Sequence, residues 1–294
     1  MAHDAGYIIH LNTRKTSVQS PVPLPSAAYP TIDGHTRLVP LLAYPSEHVR
    51  TPALFNSYCA ARGLNAVMFA LKVPPAHLQS TWQSLRHIEN LAGVVVTIPH
   101  KAPVAALVDS LEGAALHMGV CNVARRGADG RFVGRMYDGI GFVAGLVSQG
   151  IDIRGRRAAL FGAGGAGTAI AHALCHQGLA HLHLVNRTQA KAEALARELS
   201  ALYPNVTVHA TLADPSALDL AINGTALGLH AGDALPFDPA TLGPATVVAE
   251  VVMQPDTTAL LQRASDLGLR VHRGVHMVQT QVQLLAEFVL GPRG

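Results

Sequence analysis

Residues 157–167, RAALFGAGGAG, constrain what this chain can fold into more than any other stretch. The apolar run Ala158-Ala159-Leu160-Phe161 leads directly into Gly162, Gly164 and Gly167, and an apolar helical pattern begins at Thr168-Ala169-Ile170-Ala171. Strand, glycine turn and helix in that order are the context that makes a bare GxGxxG a dinucleotide fingerprint. The first glycine permits the tight turn, the second lets a pyrophosphate approach the backbone, and the third lets the helix pack closely on the strand. The turn Gly162-Ala163-Gly164-Gly165-Ala166-Gly167 then offers the free N–H groups of a helix start to the phosphates.

About 20 residues beyond such a turn, the next strand ends on a ribose-reading residue. Here His181-Leu182-His183-Leu184-Val185 is that strand, and it ends on Asn186-Arg187-Thr188 instead of Asp or Glu. A carboxylate there would accept from a ribose 2′-hydroxyl and repel a 2′-phosphate. Asn186 and Thr188 can donate hydrogen bonds, Arg187 can face a phosphate with a planar fork of donors, and Lys191 can add a second charge. The cofactor expected is therefore NADP and not NAD. The alternative is that Arg187 and Lys191 only solvate a helix start.

The chain has 294 residues, enough for two domains and a sizeable core. With 49% apolar and 14% charged residues it reads as globular. A net charge of +3 without Lys/Arg-rich runs argues against a nucleic-acid partner. Three scattered cysteines, Cys59, Cys121 and Cys175, argue against a disulfide framework and for a reducing cytoplasm. No leader-like or membrane-spanning apolar run is visible, so a soluble cytoplasmic protein is expected, as a monomer or homodimer. His172, Cys175 and His176 share a helical stretch, but no nearby carboxylate completes a ligand set; no metal is assigned.

Residues 1–35, rich in Pro, Ser and Thr, read as an extension. Strands are expected at 36–42, 67–71 and 93–98, with helices beginning at Thr51-Pro52, running from His77 to Asn90, and from Lys101 to Leu111. An irregular or hairpin region spans 119–130, and a helix from Gly139 to Gln149 crosses into the next unit. From residue 151 strands near 157–161, 181–185, 206–210, 219–222, 246–250 and 269–272 alternate with helices or loops, the doubly wound pattern. The last helix, Met277 to Val289, carries Gln279, Gln281 and Gln283, which cannot all be core. It is expected to return to the first domain. The fold class is α/β with two domains: an N-terminal substrate-binding domain (1–137, with 274–294) and a C-terminal Rossmann domain (138–273).

A cofactor domain needs a partner that supplies substrate contacts and a proton relay. Lys101 follows a buried strand and Asp138 sits at the hinge between domains. Hydride addition to a carbonyl leaves an alkoxide that needs a proton; a lysine can supply it while an aspartate orients the ammonium. By spacing alone, an ordinary surface ion pair is the favoured explanation of the two residues.

Together these segments resemble the shikimate dehydrogenase family, from about residue 37 to 290. Its Pro-x-x-His-Ser-x-Ser-Pro loop appears as Pro45-Ser46-Glu47-His48-Val49-Arg50-Thr51-Pro52, and its Asn-Val-Thr-x-Pro-x-Lys strand end as Val95-Val96-Thr97-Ile98-Pro99-His100-Lys101. Its Ala-Val-Asn-Thr segment appears as Val120-Cys121-Asn122-Val123, and its Asn-Thr-Asp-Gly hinge as Met136-Tyr137-Asp138-Gly139. Asn-Ala-Thr-Ser-x-Gly appears as Asn223-Gly224-Thr225-Ala226-Leu227-Gly228, and Gly-x-x-Met-x-x-x-Gln as Gly274, Met277 and Gln281. The resemblance implies that Lys101 and Asp138 are the catalytic pair. It further implies that Thr51, Thr97, Asn122 and Gln281 contact substrate, and that Asn223, Thr225 and Gly274 join the cofactor site.

Departures from the pattern matter equally. The two serines that grip the family's substrate carboxylate become Val49 and Thr51; an asparagine becomes Val95, the hinge Asn-Thr becomes Met136-Tyr137, and a tyrosine becomes Met253. A carboxylate buried without its donors is costly; Arg50 offers a replacement charge, with an ordinary solvated arginine as the equal alternative. The resemblance thus implies an NADP-dependent dehydrogenase of a cyclic polyol other than shikimate. The alternatives are a true shikimate or quinate dehydrogenase with a tolerant pocket, or a non-catalytic NADP-binding sensor.

Overall fold

The computed structural model describes residues 31–47 and 49–291. Most of the expected N-terminal extension, His48 and the last three positions lie outside the described residues. β-Branched and other apolar runs form the strands β1 (Arg37–Ala43), β2 (Ala66–Lys72) and β3 (Gly93–Val96), which run parallel in the order β2-β1-β3. Between them lie α1 (Thr51–Ala61), with Pro52 in its first turn, and α2 (Leu78–Arg86). Proline suits that place because a first-turn N–H has no partner within the helix. The chain continues through α3 (Lys101–Ala105), β4 (Ser110–Leu111), α4 (Ala114–Met118) and the antiparallel pair β5 (Val123–Arg126) and β6 (Phe132–Arg135).

Two expectations need correction here. The helix from Lys101 ends at Ala105, not Leu111, and β4 and α4 occupy the stretch beyond it. Residues 110–111 instead pair with β6, which gives their backbone a sheet partner. The helix expected over 77–90 stops at Arg86, so that Leu91 bridges back to β1.

Helix α5 (Asp138–Ser148) leads to a second, wholly parallel sheet. Its elements are β7 (Arg157–Phe161), α6 (Gly165–His176), β8 (His181–Val185), α7 (Gln189–Leu202), β9 (Thr207–His209), β10 (Leu220–Asn223), β11 (Val247–Glu250), α8 (Ala259–Asp266) and β12 (Arg270–His272). The order β12-β11-β10-β7-β8-β9 reverses direction between β10 and β7. Crevices at the carboxyl ends of such a pair are where doubly wound sheets bind ligands. Alternate residues of one strand feed opposite faces: Ala158 and Leu160 pack toward α5, α6 and α7, while Ala159 and Phe161 pack on the other side.

The last helix, α9 (Val275–Leu290), belongs to both halves. Val278, Val282 and Leu285 pack with β1 and α1 in the first core, whereas Met277 joins the second. Of its glutamines, Gln281 is buried while Gln279 and Gln283 are exposed, which follows helical spacing. Among the described residues no helix is long and apolar enough to cross a membrane.

Candidate active site

The first turn of α5 places Asp138 where the two halves meet, and the first residue of α3 places Lys101 opposite it. Lys101 Nζ donates to Asp138 Oδ2 at 2.5 Å. The other carboxylate oxygen accepts from two amides, Asn122 Nδ2 at 2.6 Å and Gln281 Nε2 at 2.7 Å. Asn122 is fixed in turn, because its Oδ1 accepts the backbone N–H of Tyr137 at 2.9 Å. Asp138 is 5% exposed and the Lys101 side chain 18%, so the lysine carries the water-facing side of the pair. Burial pushes the Asp138 carboxyl upward; the Lys101 charge and hydrogen bond, then those from Gln281 and Asn122, outweigh it and hold the carboxyl below its ordinary value. The aspartate is an anion at neutral pH, and the pair is an ordered ion pair within a polar cluster.

Thr97 follows β3 shortly before Lys101 and Thr51 opens α1, and both are half-buried. Asn122 and Gln281 were expected to meet substrate. In the structure each spends one N–H on Asp138, which leaves Asn122 and Gln281 one amide hydrogen apiece for a ligand. Val95 and Met136 are buried, Val49 and Met253 only partly.

At the β7–α6 turn the glycines fit a phosphate group. A Cβ on Gly167 would lie 2.0 Å from the Gly162 carbonyl oxygen, so only glycine allows the helix this close to the strand. Gly164 and Gly165 instead face open space, where an added Cβ would meet nothing within 4 Å, at the N-terminus of a twelve-residue helix. Ala163 N–H donates to Asn186 Oδ1 at 3.1 Å, and Asn186 Nδ2 donates to the Thr188 carbonyl at 2.9 Å. The loop after β8 is thereby tied to the glycine turn, with Arg187, Thr188 and Lys191 exposed beside it. Across the turn, Asn223 Oδ1 accepts from the Thr225 N–H and hydroxyl, and the Thr225 methyl lies against Gly162. Gly274 packs on the backbone of Val251 and Val252, so its close approach is to protein.

One residue escaped sequence reasoning. Glu250 closes the apolar strand β11 beside Asn223, is fully buried, and accepts from the Thr258 hydroxyl at 2.9 Å while its Oε1 has no partner. Burial pushes its carboxyl up to about 7, against hydrogen bonds from Thr258 and Asn223. The readable signal was a carboxylate ending an otherwise apolar VVAE strand. Of the α6 histidines, His172 is buried, with Glu198 at 3.2 Å and the Tyr203 hydroxyl at 3.4 Å beside it, and His176 is exposed.

Known proteins match this chain along most of its length. A family model described as shikimate dehydrogenase substrate binding domain matches residues 41–124, and one described as shikimate / quinate 5-dehydrogenase matches residues 146–226. A shikimate dehydrogenase (NADP(+)) of Rubrobacter xylanophilus is 38% identical over 90% of this chain and 92% of its own length. Among solved structures, a 5-ketofructose reductase of a Gluconobacter strain superposes with a TM-score of 0.80 at 29% identity, covering 87% of this chain and 94% of that one. A shikimate dehydrogenase in complex with NADP+ gives a TM-score of 0.83 at 26% identity, covering 91% and 94% of the two chains.

Proposed function

The chain belongs to the shikimate dehydrogenase family, and from that premise we propose that it is an NADP-dependent oxidoreductase interconverting a secondary alcohol and a ketone on a small polyhydroxylated substrate. The observation that carries this reading is the Lys101–Asp138 ion pair, its buried carboxylate held by Asn122 and Gln281 at the start of the helix that leads into the parallel sheet. NADP, when bound, supplies or accepts the hydride. Gly162–Gly167 and the start of α6 would hold its pyrophosphate, and Asn186, Arg187, Thr188 and Lys191 its 2′-phosphate. Asn223 and Thr225 would line the nicotinamide end.

In reduction, Lys101 gives a proton to the carbonyl oxygen as the adjacent carbon becomes tetrahedral. In oxidation, the neutral amine takes the hydroxyl proton. Asp138 aims Nζ and stabilises its charge without itself losing its anion, which its low pKa permits. A lysine has three donors; one is spent on Asp138, and the others remain for substrate oxygen.

Substrate range supports a broader reading than one acid. The relative named a 5-ketofructose reductase carries the same fold and is named for a ketose. Replacing Lys101 by alanine is expected to lower kcat by roughly 10²- to 10⁴-fold, with NADPH affinity, read by fluorescence titration, nearly unchanged. Wild-type rates in Lys101→Ala would refute the relay. A purely sensing role predicts tight NADPH binding with no oxidation of any ring or chain polyol.

A further inference from the structure

Two kinds of residue adjoin the Lys101–Asp138 pair. Lys101 and the amides of Asn122 and Gln281 hold the carboxylate. One continuous apolar cluster includes Val95, Tyr137, Val278 and Val282, with Val49, Ile140 and Met253 packed against it and partly open to solvent. These residues adjoin the reactive pair along the chain: Tyr137 caps α5 and Ile140 lies in its first turn, on either side of Asp138, and Val278 and Val282 flank Gln281 on α9. Met253 arrives from the second half of the molecule, just beyond β11, and closes on a cluster otherwise built from the first half and α9.

Charge that could receive an anion on this cluster is scarce. Lys101 spends one donor on Asp138 and keeps the others for the reacting oxygen. Arg50 is exposed at the start of α1 and makes no capping contact there. Thr51 contributes one hydroxyl, and Pro52 removes one of the helix's leading N–H donors. A carboxylate set against Val49, Ile140 and Met253 would lose water to apolar side chains, and the cation next to Val49, Arg50, is exposed to solvent. An uncharged group, such as hydroxymethyl or alkyl, would lose little there and would bury apolar surface.

Resting on the proposed hydride transfer, we infer that the substrate is an uncharged polyol or its ketone, and that Val49 and Met253 select it by covering the end of the molecule distal to the reacting carbon. The two residues determine specificity without taking part in proton transfer. Their effect therefore falls on KM for competing substrates more than on kcat.

The test uses the full chain with NADP+ and two probes: shikimate, and the same ring with hydroxymethyl in place of its carboxylate. The wild type is expected to turn over the hydroxymethyl compound with kcat/KM at least about tenfold above shikimate. The double variant V49S/T51S is expected to move that ratio toward shikimate by a similar factor, mainly through KM. Met253→Tyr, measured separately, is expected to shift it the same way and provides the result if the double variant does not fold. A wild type that prefers shikimate, or a ratio unmoved in every folded variant, overturns the inference while leaving the hydride transfer standing. Turnover of neither probe, with NADPH binding intact, overturns this inference, and the hydride-transfer reading falls with it only if no ring or chain polyol is oxidised either.

Discussion

At the scale of single residues, two buried carboxyls have opposite surroundings. Asp138 has a cation and two amide donors and titrates low, whereas Glu250 has a hydroxyl, an amide and an oxygen without a partner, and is pushed up to about 7. Glu250 keeps its proton in the fold over a range where the unfolded chain, with an ordinary glutamate value of 4.5, has lost it. Its stabilising effect is therefore full below pH 4.5 and lost as pH rises through about 7, to an extent of roughly 3 kcal/mol. Urea unfolding at pH 5 and pH 8 should show wild type losing stability across the interval and Glu250→Gln losing much less. Equal slopes in both proteins would assign the change to other groups. The Lys101→Ala prediction belongs to this scale too, since it removes one proton donor and leaves the glycine turn untouched.

Elements set how close these residues come. Helix α5 meets α6 so tightly that a Cβ on Gly139 would lie 1.9 Å from the Ala169 carbonyl oxygen. Gly139→Ala must push the two helices apart, at about 1–3 kcal/mol, and it displaces the neighbouring Asp138 from Lys101. Thermal unfolding should register the cost. Steady-state kinetics should show kcat falling well before NADPH affinity does; a fall in affinity alone would mean that the strain is relieved toward the glycine turn. The β8–α7 connection works as an element in the same sense, because Asn186 ties it to Ala163 and leaves Arg187 exposed beside the turn. Arg187→Asp is expected to raise KM for NADP by about tenfold or more, with less effect on NAD, and an unchanged NADP/NAD ratio would remove Arg187 from the 2′-phosphate site.

For the whole molecule, α9 is the element that makes two sheets one enzyme, with Val282 and Leu285 in the first core and Met277 in the second. Leu285→Ala should cost about 2–5 kcal/mol. The chain's single tryptophan, Trp82, is buried in the first half, so its fluorescence in a urea titration reports that loss directly. An unshifted midpoint would show that α9 contributes little to the first half. Much of this architecture was legible along the chain. The glycine turn, the β–α alternation and the glutamine face of α9 all follow from local rules, namely backbone sterics at glycine and the periods of helix and strand. Short elements such as β4 and α4 were not legible, because two residues pairing with β6 leave no period to read. The site divides in the same way. The sequence alone determined a dinucleotide fold, a donor-bearing ribose loop and a lysine and aspartate at strand and helix ends. Only the tertiary structure decided that Asp138 is a paired anion: its three partners stand 37, 16 and 143 positions away along the chain. It also decided that Glu250 is a buried acid and that Val49 and Met253 share one apolar wall. A carboxyl's charge state depends on the water it loses and the donors it gains, and both are fixed by neighbours that sequence distance does not reveal.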